Sequence, residues 1–186
     1  DLRMSRGLGD VYKRQVQHVI RKGNTPAGMH ISIMVKEILD FLQIQPGETG
    51  FDATLGYGGH TKAMLECLHG SGHMYATDVD PEESAKTKKR LEELGYGEDI
   101  LSIRLQNFCT IDEIAKEVGG FDFILADLGV SSMQIDNPKR GFSFKVDGPL
   151  DLRLNQETGI SAAERLDTIT REELAGMLYE NSDEPY

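Results

Sequence analysis

Apolar residues are spaced along this chain with two alternating periods. Ile31, Met34, Val35, Ile38, Leu39 and Leu42 recur at i, i+3, i+4, i+7, i+8 and i+11, the face of one helix, and Pro46-Gly47 stops it. The period then shortens. "TGFDAT" reads as a strand, His60 to Leu68 as a helix, and "GHMYATD" as a second strand. Asp80 is placed to cap a helix whose first residue is Pro81, and the charged run to Leu94 ends at Gly95. A third strand over Ile100 to Leu105, a short helix from Ile111 to Val118 and a fourth strand, "FDFILAD", complete the series. Strands and helices alternating at these lengths predict a parallel sheet with helices on both faces. After Asp127 the pattern breaks into a loop-rich stretch, "LGVSSMQIDNPKRGFSFKVDGPLDLRL", followed by two helical pieces. The second of these opens with a capping box, Thr170 to Glu173. Residues 1–15 show no sustained periodicity and read as a tag or assembly artefact outside the fold. That leaves 16–130 as the sheet domain and 131–186 as a lid loop with the start of a helical domain.

Composition adds limits. With 186 residues, 39% of them apolar and 27% charged, the chain can bury one ordinary globular core. It holds no apolar run near the ~18 residues that a membrane span requires and no apolar N-terminal stretch of the secretory kind, so a cytosolic, cytoplasmic protein is expected. Cys67 and Cys109 lack CxxC spacing and read as two reduced thiols. His69 and His73 are separated by a stretch with two glycines, which disfavours a helical metal pair, and no metal is expected. The net charge of −11 hides an asymmetry: residues 1–30 carry six Lys/Arg against two Asp, leaving 14 positive and 29 negative residues in the body. Gripping nucleic acid by bulk charge is therefore disfavoured, and any RNA contact must be local.

In a doubly wound sheet, ligands sit beyond the carboxyl ends of the strands. Those ends read Thr54 to His60, Asp78, Asn107 with Phe108, and Asp127. In "FDATLGYGGHT", Gly56, Gly58 and Gly59 let backbone approach a ligand at a helix start, although a tight turn with no ligand explains them equally well. A dinucleotide fingerprint G-x-G-x-x-G would place a third glycine where Thr61 stands. Asp78, 22 residues after Gly56, is placed to accept hydrogen bonds from both ribose hydroxyls of an adenosine ligand, or else is a solvated capping acid. Phe108 is either an adenine platform or core. Asp127 ends an almost wholly apolar strand, where packing explains a carboxylate poorly. An adenosine ligand without phosphates suggests S-adenosyl-L-methionine, and a methyltransferase needs mainly to orient its acceptor. No Ser/His/Asp or Cys/His arrangement is present.

"DATLGYGGHT", "DVDP", "ADLGVSSMQID", "RGFSFKVDGPLDLR" and "SAAERL" together resemble the bacterial small-subunit ribosomal RNA methyltransferases that act on N4 of a cytidine. The similarity runs from about Met29 to the end, with "HISIMVKE" and "NSDEPY" looking like a variant branch. The resemblance implies an α/β fold of class I, a Rossmann-like parallel sheet that uses S-adenosyl-L-methionine, with an inserted helical domain beginning after the fourth strand. It implies cofactor contacts from Gly58, Gly59, His60, Asp78, Phe108, Asp127 and Gln134. Gln134 enters by resemblance alone. The amino-methyltransferase motif of an acid or Asn followed by Pro-Pro-aromatic is absent, and Asp127-Leu128-Gly129 occupies its place, which assigns Asp127 the orientation of the target amine. Ribosomal RNA within the small subunit is the implied partner. From Ser131 to Arg153 four cations oppose three acids, and Phe142 and Phe144 are candidates for base stacking or for plugging a hydrophobic gap.

A class I sheet has seven strands and the pattern here supplies four. The chain is accordingly expected to be a C-terminally truncated piece, inactive by itself. Two other readings stay open. One is a non-catalytic fragment of the fold that binds RNA or the ribosome, and the other is a nicotinamide-dependent oxidoreductase, which Thr61 disfavours.

Overall fold

The computed structural model describes residues 32–182; the expected tag-like segment 1–15 lies outside them, as does Ile31. The described chain forms two units, one of residues 32–78 with 83–126 and one of 79–82 with 127–182.

In the first unit, α1 (Val35–Leu42) leads to β1 (Thr49–Asp52), α2 (Gly59–Cys67) and β2 (His73–Asp78). Helix α3 (Pro81–Glu93) is followed by β3 (Leu101–Leu105), a 3-10 turn at Phe108–Thr110, α4 (Ile111–Val118) and β4 (Phe123–Leu125). The four strands are parallel in the order β3-β2-β1-β4. The alternation of the sequence therefore becomes the expected sheet, and α1 begins later than its periodicity suggests because Met34 takes a left-handed φ of 52°. Neighbouring strands leave β1 in opposite sequence directions, which makes the β1/β4 boundary the switch point where a crevice opens at the carboxyl ends.

Two apolar clusters cover the sheet. One gathers Ile44, Leu55, Met64, Leu65, Leu68, Met74, Leu91 and Phe123, and the other joins Phe51 and Ala53 to Ile114 of α4. Phe51 and Ile114 are fully buried, the one from a strand and the other from the helix facing it. Gly50 pairs with Phe123 across β1 and β4, and a Cβ on Gly50 would stand 2.2 Å from the Phe123 ring, so only glycine lets that ring lie across the strand.

The second unit contains α5 (Ser132–Ile135), a 3-10 turn at Pro138–Arg140, α6 (Ala162–Thr168) and α7 (Arg171–Ser182). Thr170 and Glu173 form the expected capping box. Helix α5 was not expected. Its own capping box, Ser131 with Gln134, has the S-x-x-Q spacing that announces a helix start. No helix among the described residues is long and apolar enough to cross a membrane.

Candidate functional site

The glycine loop lies at the end of β1 and is held from several sides. Asp52, the last residue of β1, is buried and accepts from Thr61 Oγ1 at 2.6 Å and from the Thr54 amide at 3.0 Å. Burial raises the Asp52 carboxyl above its ordinary value, and the two donors oppose that rise. The same contacts tie the end of the strand to the first turn of α2. The Leu55 amide bonds the Thr77 carbonyl at 2.9 Å, and the Gly58 amide closes a turn onto Leu55 at 2.7 Å. Gly56 and Gly58 take φ of 48° and 79°, the left-handed region that glycine enters without penalty.

Asp78 ends β2 and accepts the Gly56 amide on Oδ2 at 2.7 Å. The acid expected to meet a ribose thus also fixes the loop, and the two glycine-loop and strand-end readings converge on one place. His60 is buried in the first turn of α2, with Nε2 2.8 Å from the Ile33 carbonyl. A carbonyl only accepts, so Nε2 carries the hydrogen. A Cβ on Gly59 would fall 2.1 Å from Ser32 Oγ, which keeps that position small. Phe108 is 40% exposed and follows β3 at the start of a 3-10 turn capped by Asn107. Loop, Asp78 and Phe108 therefore stand at the carboxyl ends of adjacent parallel strands. Such a set offers backbone donors, a carboxylate and an aromatic face, the chemistry that an adenosine ligand requires. Thr61, where a dinucleotide site places glycine, is fully buried with its hydroxyl committed to Asp52.

Asp127 and Gln134 belong to the second unit. Asp127 is exposed, two residues beyond β4. Gln134 is buried, its side-chain oxygen accepting from the Ser131 amide at 2.9 Å and its Nε2 donating to Asp80 at 3.0 Å. Asp80 caps α3 through the Glu82 amide, as its position before Pro81 predicts, and also receives Arg140 Nη2 at 2.7 Å. Arg140 in turn donates to the Leu154 carbonyl. Arg140, one of the four cations between Ser131 and Arg153, is thus buried in an ion pair rather than offered to RNA. Phe142 is half-buried and Phe144 is 99% exposed, so the two aromatics divide between packing and the surface. The "RGFSF" and "DGPLD" segments close on each other: a Cβ on Gly141 would meet the Pro149 carbonyl at 1.9 Å, and one on Gly148 the Pro138 carbonyl at 2.2 Å. Arg153 clamps Asp151 with both Nε and Nη2, holding that carboxyl down at about 2. Among the described residues no group of three His, Cys, Asp or Glu could hold a metal ion.

Compared with known protein families, residues 27–186 match the MraW methylase family. The chain belongs to that family. Curated relatives of this MraW-family chain include "Ribosomal RNA small subunit methyltransferase H 1" of Agathobacter rectalis, 84% identical over 94% of the chain and 50% of the relative. The protein of the same name from Lachnoclostridium phytofermentans is 69% identical over 94% and 48%. "Ribosomal RNA small subunit methyltransferase H 2" of Alkaliphilus metalliredigens is 65% identical over 95% and 50%. The chain spans about half the length of the curated relatives it matches. The parallel β3-β2-β1-β4 order is that of the first half of a Rossmann-like, class I methyltransferase sheet.

Outside the residues expected from the sequence, four others shape the loop: Asp52, Thr61, Thr87 and Arg90. Thr87 and Arg90 sit within the charged run "KTKKRLEE", and only the fold shows them turned to the loop.

Proposed function

We propose that the chain carries the cofactor-binding part of an S-adenosyl-L-methionine-dependent methyltransferase that methylates N4 of a cytidine in small-subunit ribosomal RNA. The observation carrying this reading is the glycine loop at the β1/β4 switch point, tied to an acid at the end of β2, in a chain of the MraW methylase family. The relatives' names supply the substrate class. When bound, S-adenosyl-L-methionine supplies an electrophilic methyl group on a sulfonium.

The remaining work falls to the chain's own residues. Gly58 and Gly59 keep the loop free of side chains, His60 holds the start of α2 against the Ile33 carbonyl, Asp78 accepts from the ribose hydroxyls, and Phe108 offers a face to the adenine. Gln134 supports Asp80 and the start of α5. Asp127 accepts a hydrogen bond from the target amine and so aims its lone pair. Assembled small subunits in the cytoplasm are the substrate favoured by an acidic chain, since their proteins present RNA without requiring a broad phosphate-gripping surface.

The test is calorimetry with S-adenosyl-L-methionine and, separately, NAD. Binding of the former with no NAD binding is expected, and the reverse would favour an oxidoreductase. Asp78→Asn keeps an acceptor for Gly56 but removes the charged acceptor from the ribose, and should weaken binding by about 1.5–3 kcal/mol, roughly ten- to hundred-fold. In the full-length protein, Asp127→Asn should lower methyl transfer to small subunits by more than it weakens cofactor binding; normal transfer removes the role of Asp127. RNA binding without cofactor binding would favour a non-catalytic RNA-binding role.

A further inference from the structure

The loop Leu55 to Gly58 is gripped from outside by one face of α3. Thr87 Oγ1 donates to the Gly56 carbonyl at 2.6 Å, and Arg90 Nη2 donates to the Tyr57 carbonyl at 2.7 Å and to Thr87 Oγ1 at 2.6 Å. The Arg90 guanidinium also lies on the Tyr57 ring, 3.7 Å from its centroid. A Cβ on Gly58 would stand 2.7 Å from the Thr87 methyl, so the helix touches the loop through that methyl as well. Thr87 is fully buried, and its hydroxyl serves as both acceptor and donor in the relay from Arg90 to Gly56.

A trans peptide is planar, so fixing one carbonyl fixes the N–H on its other side. The Gly56 carbonyl aimed at Thr87 turns the Tyr57 N–H away from α3. The Tyr57 carbonyl aimed at Arg90 likewise turns the Gly58 N–H away, onto Leu55. A turn with glycine at Gly56 and Gly58 can flip these peptide planes at little steric cost. A flip would exchange a donor for an acceptor on the side opposite α3. From this geometry we infer that Thr87 and Arg90 are positioning residues of the cofactor site, holding two consecutive peptide planes of the glycine loop so that the Tyr57 N–H faces away from α3 and the Gly58 N–H closes the turn onto Leu55. The inference rests on the cofactor reading above. It adds two residues, 31 and 33 positions beyond the carbonyls they hold.

Three variants test it, each checked by thermal melting and by S-adenosyl-L-methionine calorimetry. Thr87→Val keeps the shape and removes the hydroxyl, and is expected to weaken binding at least tenfold. Thr87→Ser keeps the hydroxyl and removes the methyl that packs on Gly58, and is expected to bind within threefold of the parent. Arg90→Met is expected to weaken binding three- to tenfold. A folded Thr87→Val that binds like the parent, or a Thr87→Ser as weak as Thr87→Val, overturns the inference. Should Thr87→Val fail to fold, parent-like affinity in Arg90→Met overturns it instead. A parent protein that binds no S-adenosyl-L-methionine sinks the cofactor reading alone. The clamp is then read from amide hydrogen exchange at Gly58, whose N–H is bonded to Leu55; Arg90→Met must speed it at least threefold, and unchanged exchange overturns it.

Discussion

Asp52 and Asp151 are carboxylates whose environments push them in opposite directions. Asp52 is held above its ordinary value by burial, so the folded state binds its proton more readily than the unfolded chain does, and its contribution to stability falls as pH rises out of the acid range. Asp151 is held down at about 2 by Arg153, so its contribution is complete above the ordinary carboxylate value of about 3.9 and is lost as pH falls from there through 2. Asp52→Asn keeps an acceptor and a donor between Thr54 and Thr61. It should hold or raise the melting temperature at neutral pH and remove the stability loss expected of the parent as pH rises above the ordinary carboxylate value of about 3.9. A melting series from acid to neutral pH decides it, and an Asn variant with unaltered pH dependence would show that folding does not raise the Asp52 carboxyl. Asp151→Asn should flatten the acid limb between pH 4 and 2 instead. Asp52 closes the apolar run of "TGFDAT", and only the fold reveals it as the acid that fastens the helix start, because nothing local marks the Thr61 hydroxyl as its partner.

At the scale of elements, the strands and helices of the first unit were legible because their apolar periods differ and because caps announce themselves. Ile111–Val118 begins and ends where its pattern does, and Asp80 caps α3 as its place before Pro81 predicts. The stretch between β4 and α6 was less legible. Its order comes from contacts between residues far apart: Asp80 meets Gln134 across 54 positions and Arg140 across 60. Arg140 beside Lys139 therefore looks like a surface cation, although 7% of its side chain is exposed. Removing it leaves Asp80 as a buried charge without its ion-pair partner. Arg140→Ala should cost about 3–5 kcal/mol by denaturant unfolding of the second unit, against less for a variant that neutralises both, Arg140→Met with Asp80→Asn. A loss below 1 kcal/mol would mean the pair is solvated.

For the molecule as a whole, charge limits how the proposed ribosomal substrate is met. A chain of net charge −11 that touches two or three phosphates should lose about 10- to 40-fold in affinity for small subunits between 50 and 200 mM salt. A protein gripping six to ten phosphates loses about a thousandfold or more over that interval, and such a loss here would reveal a basic surface made elsewhere. The fold class was legible in the alternation of elements, and so was the placing of the glycine loop, Asp78 and Phe108 at the strand ends of the first unit. The division into two units was not, because one of them takes residues 79–82 out of the middle of the other.

That interleaving fixes an order of assembly. During synthesis Asp80 leaves the ribosome with its local partner, the Glu82 amide, already beside it, whereas Gln134, Arg140 and the Leu154 carbonyl follow only after β3, α4 and β4 have been made. The carboxylate must wait in water for its buried cation, so the sheet can close before the segment that seals Asp80 exists, and the stretch from Gln134 to Leu154 is the one that dries it.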